Sequence, residues 1–315
     1  MRFRRSSLLL LLVLSWGTIA NAQWFDGQSV KATVLIERRQ GDAVVPHGTG
    51  FLVWNYSSPD SPYVVTCAHL LNRDQVYLRL NADSSLVRAA DRAQWRIIKI
   101  GERTWELAGQ TLRTEVDLRS LRPRAIATDS LRDIGVFKLD VGSAIQVGPQ
   151  QEGVLFADAK RIPSSGIRKR HDLALGDELY FVGFPLGIGT GRKLEPVIRS
   201  GSVAWLSLES DEFLIDALSY GGNSGSPVFS KAIFGRTRGE ASWDAPYLVG
   251  MVIGHVGQDV NGVLTQPDPK QLVFERQFVS SNFGLVRCVW IDDILEVIGR
   301  LRASAVPDPN GAGKR

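Results

Sequence analysis

SYGGNSGSPVF, running from Ser219 to Phe229, sets Ser224 inside a Gly-Gly-Asn-Ser-Gly-Ser-Pro run at the mouth of an apolar segment. Gly, Asn, Ser and Pro are the residues of turns. The same composition suits a nucleophile, Ser224, presented on a tight loop whose backbone N–H groups point inward. A serine hydroxyl is a poor nucleophile alone and needs a general base, most often histidine. The remaining sequence therefore decides between a plain turn and a reactive one.

The chain has four histidines, His47, His69, His171 and His255. His47 sits in a Pro-Gly turn and His171 in a basic loop. His69 differs, because YVVTCAHLL (63–71) delivers it from an apolar strand directly into a short turn, where the core holds it facing a cleft. A base of this kind needs an orienting carboxylate. DSLRDIGVFKLD (129–140) offers Asp129, Asp133 and Asp140. Asp133 leads straight into Ile134, Val136, Phe137 and Leu139, a strand entrance where a carboxylate is fixed, so it is preferred.

Outside these stretches, apolar β-branched runs of four to eight residues recur between Gly, Pro, Asp and Ser. Examples are ATVLIE (32–37), ELYFVGF (178–184) and YLVGMVIG (247–254). Many short strands with turn signals predict an all-β sandwich or a pair of barrels. One helical period stands out. Ile291, Ile294, Leu295, Ile298 and Leu301 share a face, Asp292 and Asp293 occupy the first turn, and Arg300 and Arg302 the last. That charge order suits the helix dipole. Residues 103–129 and 258–281 show no clear strand pattern and are expected to be long loops, and 303–315 a disordered tail.

MRFRRSSLLLLLVLSWGTIANAQ has the order of a signal peptide: arginines, an apolar run, then Ala20-Asn21-Ala22. Cleavage is expected after Ala22, giving an exported protein, periplasmic or secreted, with no stable membrane insertion. Removing Arg2, Arg4 and Arg5 leaves 34 basic residues against 33 acidic, a net charge of +1. Net charge then gives no support to a nucleic-acid partner. The two cysteines, Cys67 and Cys288, both lie in strand-like runs, which favours buried free thiols over a bridge. No His or Cys pair has metal-site spacing, so no metal and no cofactor are expected. GIGTGRK (187–193) has a flavour of a phosphate loop but lacks the full pattern and a following helix, and is expected to be a surface loop.

Three stretches in the order His, Asp, Ser carry a resemblance: GTGFLV with TCAHL (48–53, 66–70), DIGVFKL (133–139) and GGNSGSPVF (221–229). Together they resemble trypsin-like serine proteases of the chymotrypsin fold. FVGFPLG (181–187), VIRSGSV (197–203), LVGMVIG (248–254) and NFGLVRCVWIDDILEVI (282–298) extend the likeness to bacterial HtrA-type (Deg) proteases. The expected order lacks a PDZ domain, and SYGGNSG replaces that subgroup's usual Asn-Pro-Gly before the serine.

The resemblance implies two six-stranded antiparallel β-barrels with a C-terminal helix. It places one barrel at about 30–140, the second at about 150–302, and the active site between them. It implies a catalytic triad of His69, Asp133 and Ser224, with the backbone N–H groups of Gly222 and Ser224 as the oxyanion hole. By alignment the pocket for the residue before the scissile bond involves Leu218, Val252, Ile253, Gly254 and His255. Leu218 stands where basic-specific relatives carry Asp, which favours small or medium aliphatic residues. His255 or Asp216 turned inward would favour charged ones. The substrate implied is a polypeptide, and the oligomeric state stays open. The competing expectation is a protease fold that binds peptides without turnover.

Overall fold

The computed structural model describes residues 30–53, 62–72, 75–81, 96–100, 103–119, 121, 125–139, 162, 167, 169–230, 246–263 and 276–305. The expected signal peptide, Asp140 and the chain beyond Ala305 lie outside the described residues. Among the described residues, nine strands make the first half. They are β1 (Thr33–Gln40), β2 (Ala43–Val53), β3 (Tyr63–Cys67), β4 (Gln75–Asn81), β5 (Arg96–Ile100), β6 (Arg103–Ala108), β7 (Thr111–Asp117), β8 (Ile126–Asp129) and β9 (Ile134–Lys138). Six make the second: β10 (Glu178–Gly183), β11 (Val197–Leu206), β12 (Glu212–Asp216), β13 (Pro227–Ser230), β14 (Tyr247–Val263) and β15 (Arg276–Trp290). A helix, α1 (Ile291–Ala305), follows and runs three residues past Arg302, where the sequence pattern ends. Among the described residues no helix is long and apolar enough to cross a membrane.

The second half closes into a six-stranded barrel in the order β10-β11-β12-β15-β14-β13. The first half is an antiparallel sheet ordered β5-β6-β7-β4-β1-β2-β3-β9-β8, three strands more than the expected count. The extra strands come largely from residues 103–129, expected to be a loop. TLRTEVD hides its alternation because a threonine fills one inward position. Leu112, Thr114 and Val116 are buried, while Glu115 between them is exposed. The other expected loop, 258–281, is also partly strand. β14 continues to Val263 and β15 begins at Arg276, paired Val263 to Arg276. Backbone pairing there does not require an apolar pattern, so no residue periodicity marks it.

Each half has its own core. Val34, Ile36, Leu52, Val64, Leu78 and Phe137 fill the first. Leu179, Phe181, Phe213, Ile215, Cys288 and Trp290 fill the second. A third cluster joins them: Phe51, Val65, Ile134 and Val136 meet Phe229, Met251 and Val289, and the stripe Ile291, Ile294, Val297, Ile298 and Leu301 of α1 seals it. Burying each such side chain stabilises the fold by roughly 1.5–3 kcal/mol. The helix therefore packs against both halves at once. Charge adds a rim. Arg132 reaches Glu296 at 2.8 Å and Asp293 at 3.5 Å, and Arg300 reaches Asp129 at 2.8 Å.

Candidate active site

His69 stands in a 3-10 turn, Ala68–Leu71, immediately after β3. Leu71 packs into the core of the first half and Leu70 into the cluster that joins the halves, which anchors the turn and leaves the His69 side chain 43% exposed. Asp133 ends the turn between β8 and β9. Its φ of 56° lies in the left-handed region, which Asp and Asn tolerate better than other side-chain-bearing residues. That backbone aims three acceptors at one dipeptide. The Asp133 carbonyl accepts the Ala68 N–H at 3.0 Å, Oδ1 accepts the His69 N–H at 2.9 Å, and Oδ2 meets His69 Nδ1 at 2.6 Å. An ionised carboxylate only accepts, so Nδ1 carries the proton and Nε2 of the neutral ring keeps its lone pair.

Ser224 lies on the loop between β12 and β13, tied to the other half by its backbone. Its carbonyl accepts the Thr49 N–H at 2.8 Å, and the next N–H, of Gly225, donates to the Val252 carbonyl at 2.8 Å. Gly225 has φ 86°, and a Cβ there would stand 1.8 Å from the Thr49 carbonyl and 2.6 Å from Thr66 Oγ1. Only glycine lets the serine loop press this closely against β3, three residues ahead of His69.

The loop's hydrogen bonds leave a pattern. Leu186 N–H holds the Gly221 carbonyl at 2.6 Å, Thr49 Oγ1 holds that of Gly222 at 2.7 Å, and Ser226 N–H holds that of Asn223 at 2.9 Å. Asn223 N–H donates to Tyr220 at 3.0 Å. Within 222–226, the N–H groups of Gly222 and Ser224 are the ones without a partner among the described residues. Each belongs to a planar trans peptide whose carbonyl is pinned, so its direction is fixed opposite that carbonyl. Gly222 has φ 96°, and a Cβ there would lie 2.3 Å from the Phe184 carbonyl.

Beside the loop, Leu218 is 44% exposed and its Cδ2 lies 4.0 Å from where a Cβ on Gly284 would be. Asn282 spans that wall: its side-chain amide donates to the Ser219 carbonyl and accepts the Gly284 N–H at 2.9 Å. Val252 is fully buried in the second core and Ile253 nearly so, while Gly254 and His255 are half-buried beyond a bulge in β14. Asp216 is exposed, and His171 is an exposed residue 3.6 Å from Asp172, outside the cluster.

Cys67 and Cys288 are both free and buried. Cys67 Sγ donates to the Val252 carbonyl at 3.3 Å beneath His69. Burial, and after it the nearby Asp133 carboxylate, push its thiol well above the usual range, so it stays protonated. Sγ of Cys67 and the donors of His69 and Asp133 lie within 4.8 Å of one another, a set in which a soft cation would have to displace the His69–Asp133 hydrogen bond.

The structure thus joins His69 to Asp133 and sets the Ser224 loop against Thr49 of β2 and Thr66 of β3, the strand that leads into His69. Thr49 and Leu186 hold that loop, Thr66 Oγ1 in turn donates to the Thr49 carbonyl at 2.6 Å, and none of the three was singled out from sequence. Thr49 lies inside the GTGFLV stretch, but nothing in a string of residues shows that its hydroxyl joins Gly222 to Phe184. A model of the trypsin-like peptidase domain matches residues 48–233, which include all three side chains. The chain belongs to that family. Membership carries with it a trypsin-like serine protease fold and a polypeptide substrate. No curated protein matches the chain. Among solved structures it is similar to an inactive-form serine-to-alanine mutant of Rv3671c from M. tuberculosis H37Rv. Identity is 11%, the match covers 93% of this chain and 96% of that one, and the TM-score is 0.42.

Proposed function

We propose that the protein is an exported serine endopeptidase of HtrA-like type. The observation that carries this reading is the double grip of Asp133 on His69, which orients the ring and fixes its tautomer. Ser224 Oγ attacks the scissile carbonyl while His69 Nε2 takes its proton and then returns it to the leaving amine. Asp133 stabilises the imidazolium, and water hydrolyses the acyl-enzyme. Gly222 and Ser224 N–H groups receive the developing oxyanion, an interaction worth about 2.7–4 kcal/mol per donor. Leu218 gives the specificity pocket an apolar wall, with Gly254 and His255 contributed by β14. Burying Lys or Arg there would leave an unpaired cation in low dielectric, so aliphatic residues are preferred. Export follows from the leader-like first 22 residues.

A fluorophosphonate probe tests the reading. The wild type is expected to label on Ser224, and Ser224→Ala and His69→Ala to lose labelling and nearly all hydrolysis while staying folded. The competing reading, a peptide-binding module without turnover, gains the ground if folded wild type neither labels nor cleaves.

A further inference from the structure

The loop GIGTGRK, set aside from sequence as a surface feature, is clamped to the opposite half of the molecule. Arg79 on β4 is 9% exposed and Glu37 on β1 is 1% exposed. The Glu37 carboxylate lies 3.5 Å from Arg79 and accepts from Arg113 Nε at 2.8 Å. Held on that side, and by Thr111 Oγ1 at 3.0 Å, the Arg79 guanidinium donates to two consecutive carbonyls, those of Thr190 (2.9 Å) and Gly191. Asn81 fastens the far end of the loop, donating to the Leu194 carbonyl at 2.9 Å and accepting its N–H at 2.7 Å. Gln110 N–H holds the Arg192 carbonyl at 2.8 Å.

From the clamped residues the contacts run inward. Thr190 Oγ1 donates to the Gly187 carbonyl at 2.7 Å, and Gly187 N–H to that of Phe184 at 3.1 Å. Leu186 between them adopts φ 53°, a left-handed backbone that an apolar side chain adopts only where its surroundings impose it. In that conformation its N–H reaches the Gly221 carbonyl at 2.6 Å. Gly221 carbonyl and Gly222 N–H belong to the same planar peptide, so whatever fixes one fixes the other.

We propose that Arg79 is a positioning residue for the oxyanion hole: the ion pair with Glu37 sets the 187–191 turn, which holds Leu186 in its strained backbone and so aims the Gly222 N–H. A planar guanidinium fork is suited to two adjacent carbonyls, where an ammonium supplies a point charge. This inference rests on the reading of Gly222 N–H as an oxyanion donor. Its chemical consequence is specific. Loosening the turn leaves the nucleophile and base in place and lowers stabilisation of the tetrahedral intermediate, which appears in kcat and hardly in KM.

The test uses the full chain, a peptide p-nitroanilide with Val before the scissile bond, and the matching peptide aldehyde, whose adduct with Ser224 places an oxyanion in the hole. Active sites are counted with the fluorophosphonate probe, so that a partly unfolded sample does not pass for a slow one. Arg79→Met is expected to lower kcat per active site about 10–100-fold with KM within about threefold, and to weaken the aldehyde in parallel. The downfield proton resonance of the His69–Asp133 hydrogen bond is expected to persist. Arg79→Lys is expected to fall between Met and wild type. Gly189→Ala attacks the same turn from the loop side, because its Cβ would stand 1.9 Å from the Glu195 carbonyl at φ 80°. It should reproduce the kcat and aldehyde defects, and it decides the matter if Arg79→Met does not fold. Unchanged kcat and aldehyde affinity in either folded variant overturns the proposal while leaving the triad reading intact. A wild type that neither labels nor hydrolyses overturns the protease reading itself.

Discussion

Asp133 holds His69 at both ends of the residue, one carboxylate oxygen on its backbone N–H at 2.9 Å and the other on Nδ1 at 2.6 Å. A carboxylate bound to the ring alone would leave rotation about the side chain open. With the main chain held by the same group, ring and backbone become one rigid unit. The left-handed backbone of Asp133 makes this possible, and the β8–β9 turn supplies it.

Asp133→Asn separates geometry from charge. Asn also tolerates the left-handed region, so the turn should survive. The amide favours the wrong tautomer of His69, and kcat should fall about 10⁴-fold. Steady-state kinetics with a circular-dichroism check of folding measures this. Activity within tenfold of wild type would remove Asp133 from the assignment.

Gly225 lies where the serine loop meets Thr49 and Thr66 of the first half. Gly225→Ala places a Cβ 1.8 Å from the Thr49 carbonyl, in a backbone region that L side chains avoid. The expected cost is about 2–4 kcal/mol of stability, in the upper part of the range for single substitutions, with loss of activity. Urea unfolding reports it, and a cost below about 1 kcal/mol would mean that the two halves do not approach this closely.

The two thiols should be silent in the native protein. Both are buried and held protonated, Cys67 by burial and then Asp133, Cys288 by burial and then Glu212. A thiolate is the reactive form, so neither should react with a disulfide reagent at pH 8, and both should react after denaturation. Rapid native labelling at either position would contradict the packing beneath His69.

Acid should loosen the helix rim in a defined direction. Burial raises the Asp129 carboxyl, but hydrogen bonds from Arg300 and from the Arg132 N–H outweigh it and leave the group below its usual range. A folded pKa below the unfolded one, about 4, means stability present above that pH and lost as pH falls through the folded value. The destabilisation caused by Arg300→Ala should therefore be measurable in urea at pH 7 and smaller at pH 3. An equal effect at both pH values would show that packing, not charge, accounts for it.

Specificity offers a fifth check. If Leu218 walls the specificity pocket as proposed, a peptide library should show aliphatic residues before the scissile bond. Leu218→Asp adds the missing counter-charge and should bring in Arg and Lys. A wild-type preference for charged residues would point instead to His255 or Asp216.

The short motifs were legible in the sequence because their chemistry is local. A serine among glycines, a histidine at a strand end and an aspartate at a strand entrance announce themselves by residue type and neighbours. The α1 stripe was legible for the same reason, since a 3.6-residue period is written in consecutive residues. The β6–β7 hairpin was not. Thr114 fills an inward position in TLRTEVD, and the charged alternation around it reads as a loop until β4 is seen pairing along its whole length. The extra reach of β14 and β15 is a backbone pairing that side chains do not encode.

The sequence by itself determined the family, the order His69, Asp133, Ser224, and the need for glycine around the serine, because each depends on residue identity and spacing along the chain. The tertiary structure decided what holds those residues. Thr49 Oγ1 on Gly222, Leu186 on Gly221 and Arg79 on Thr190 join positions more than 30 residues apart. Such contacts exist only after distant stretches of chain have closed into sheets and the two halves have packed together, so no local pattern records them.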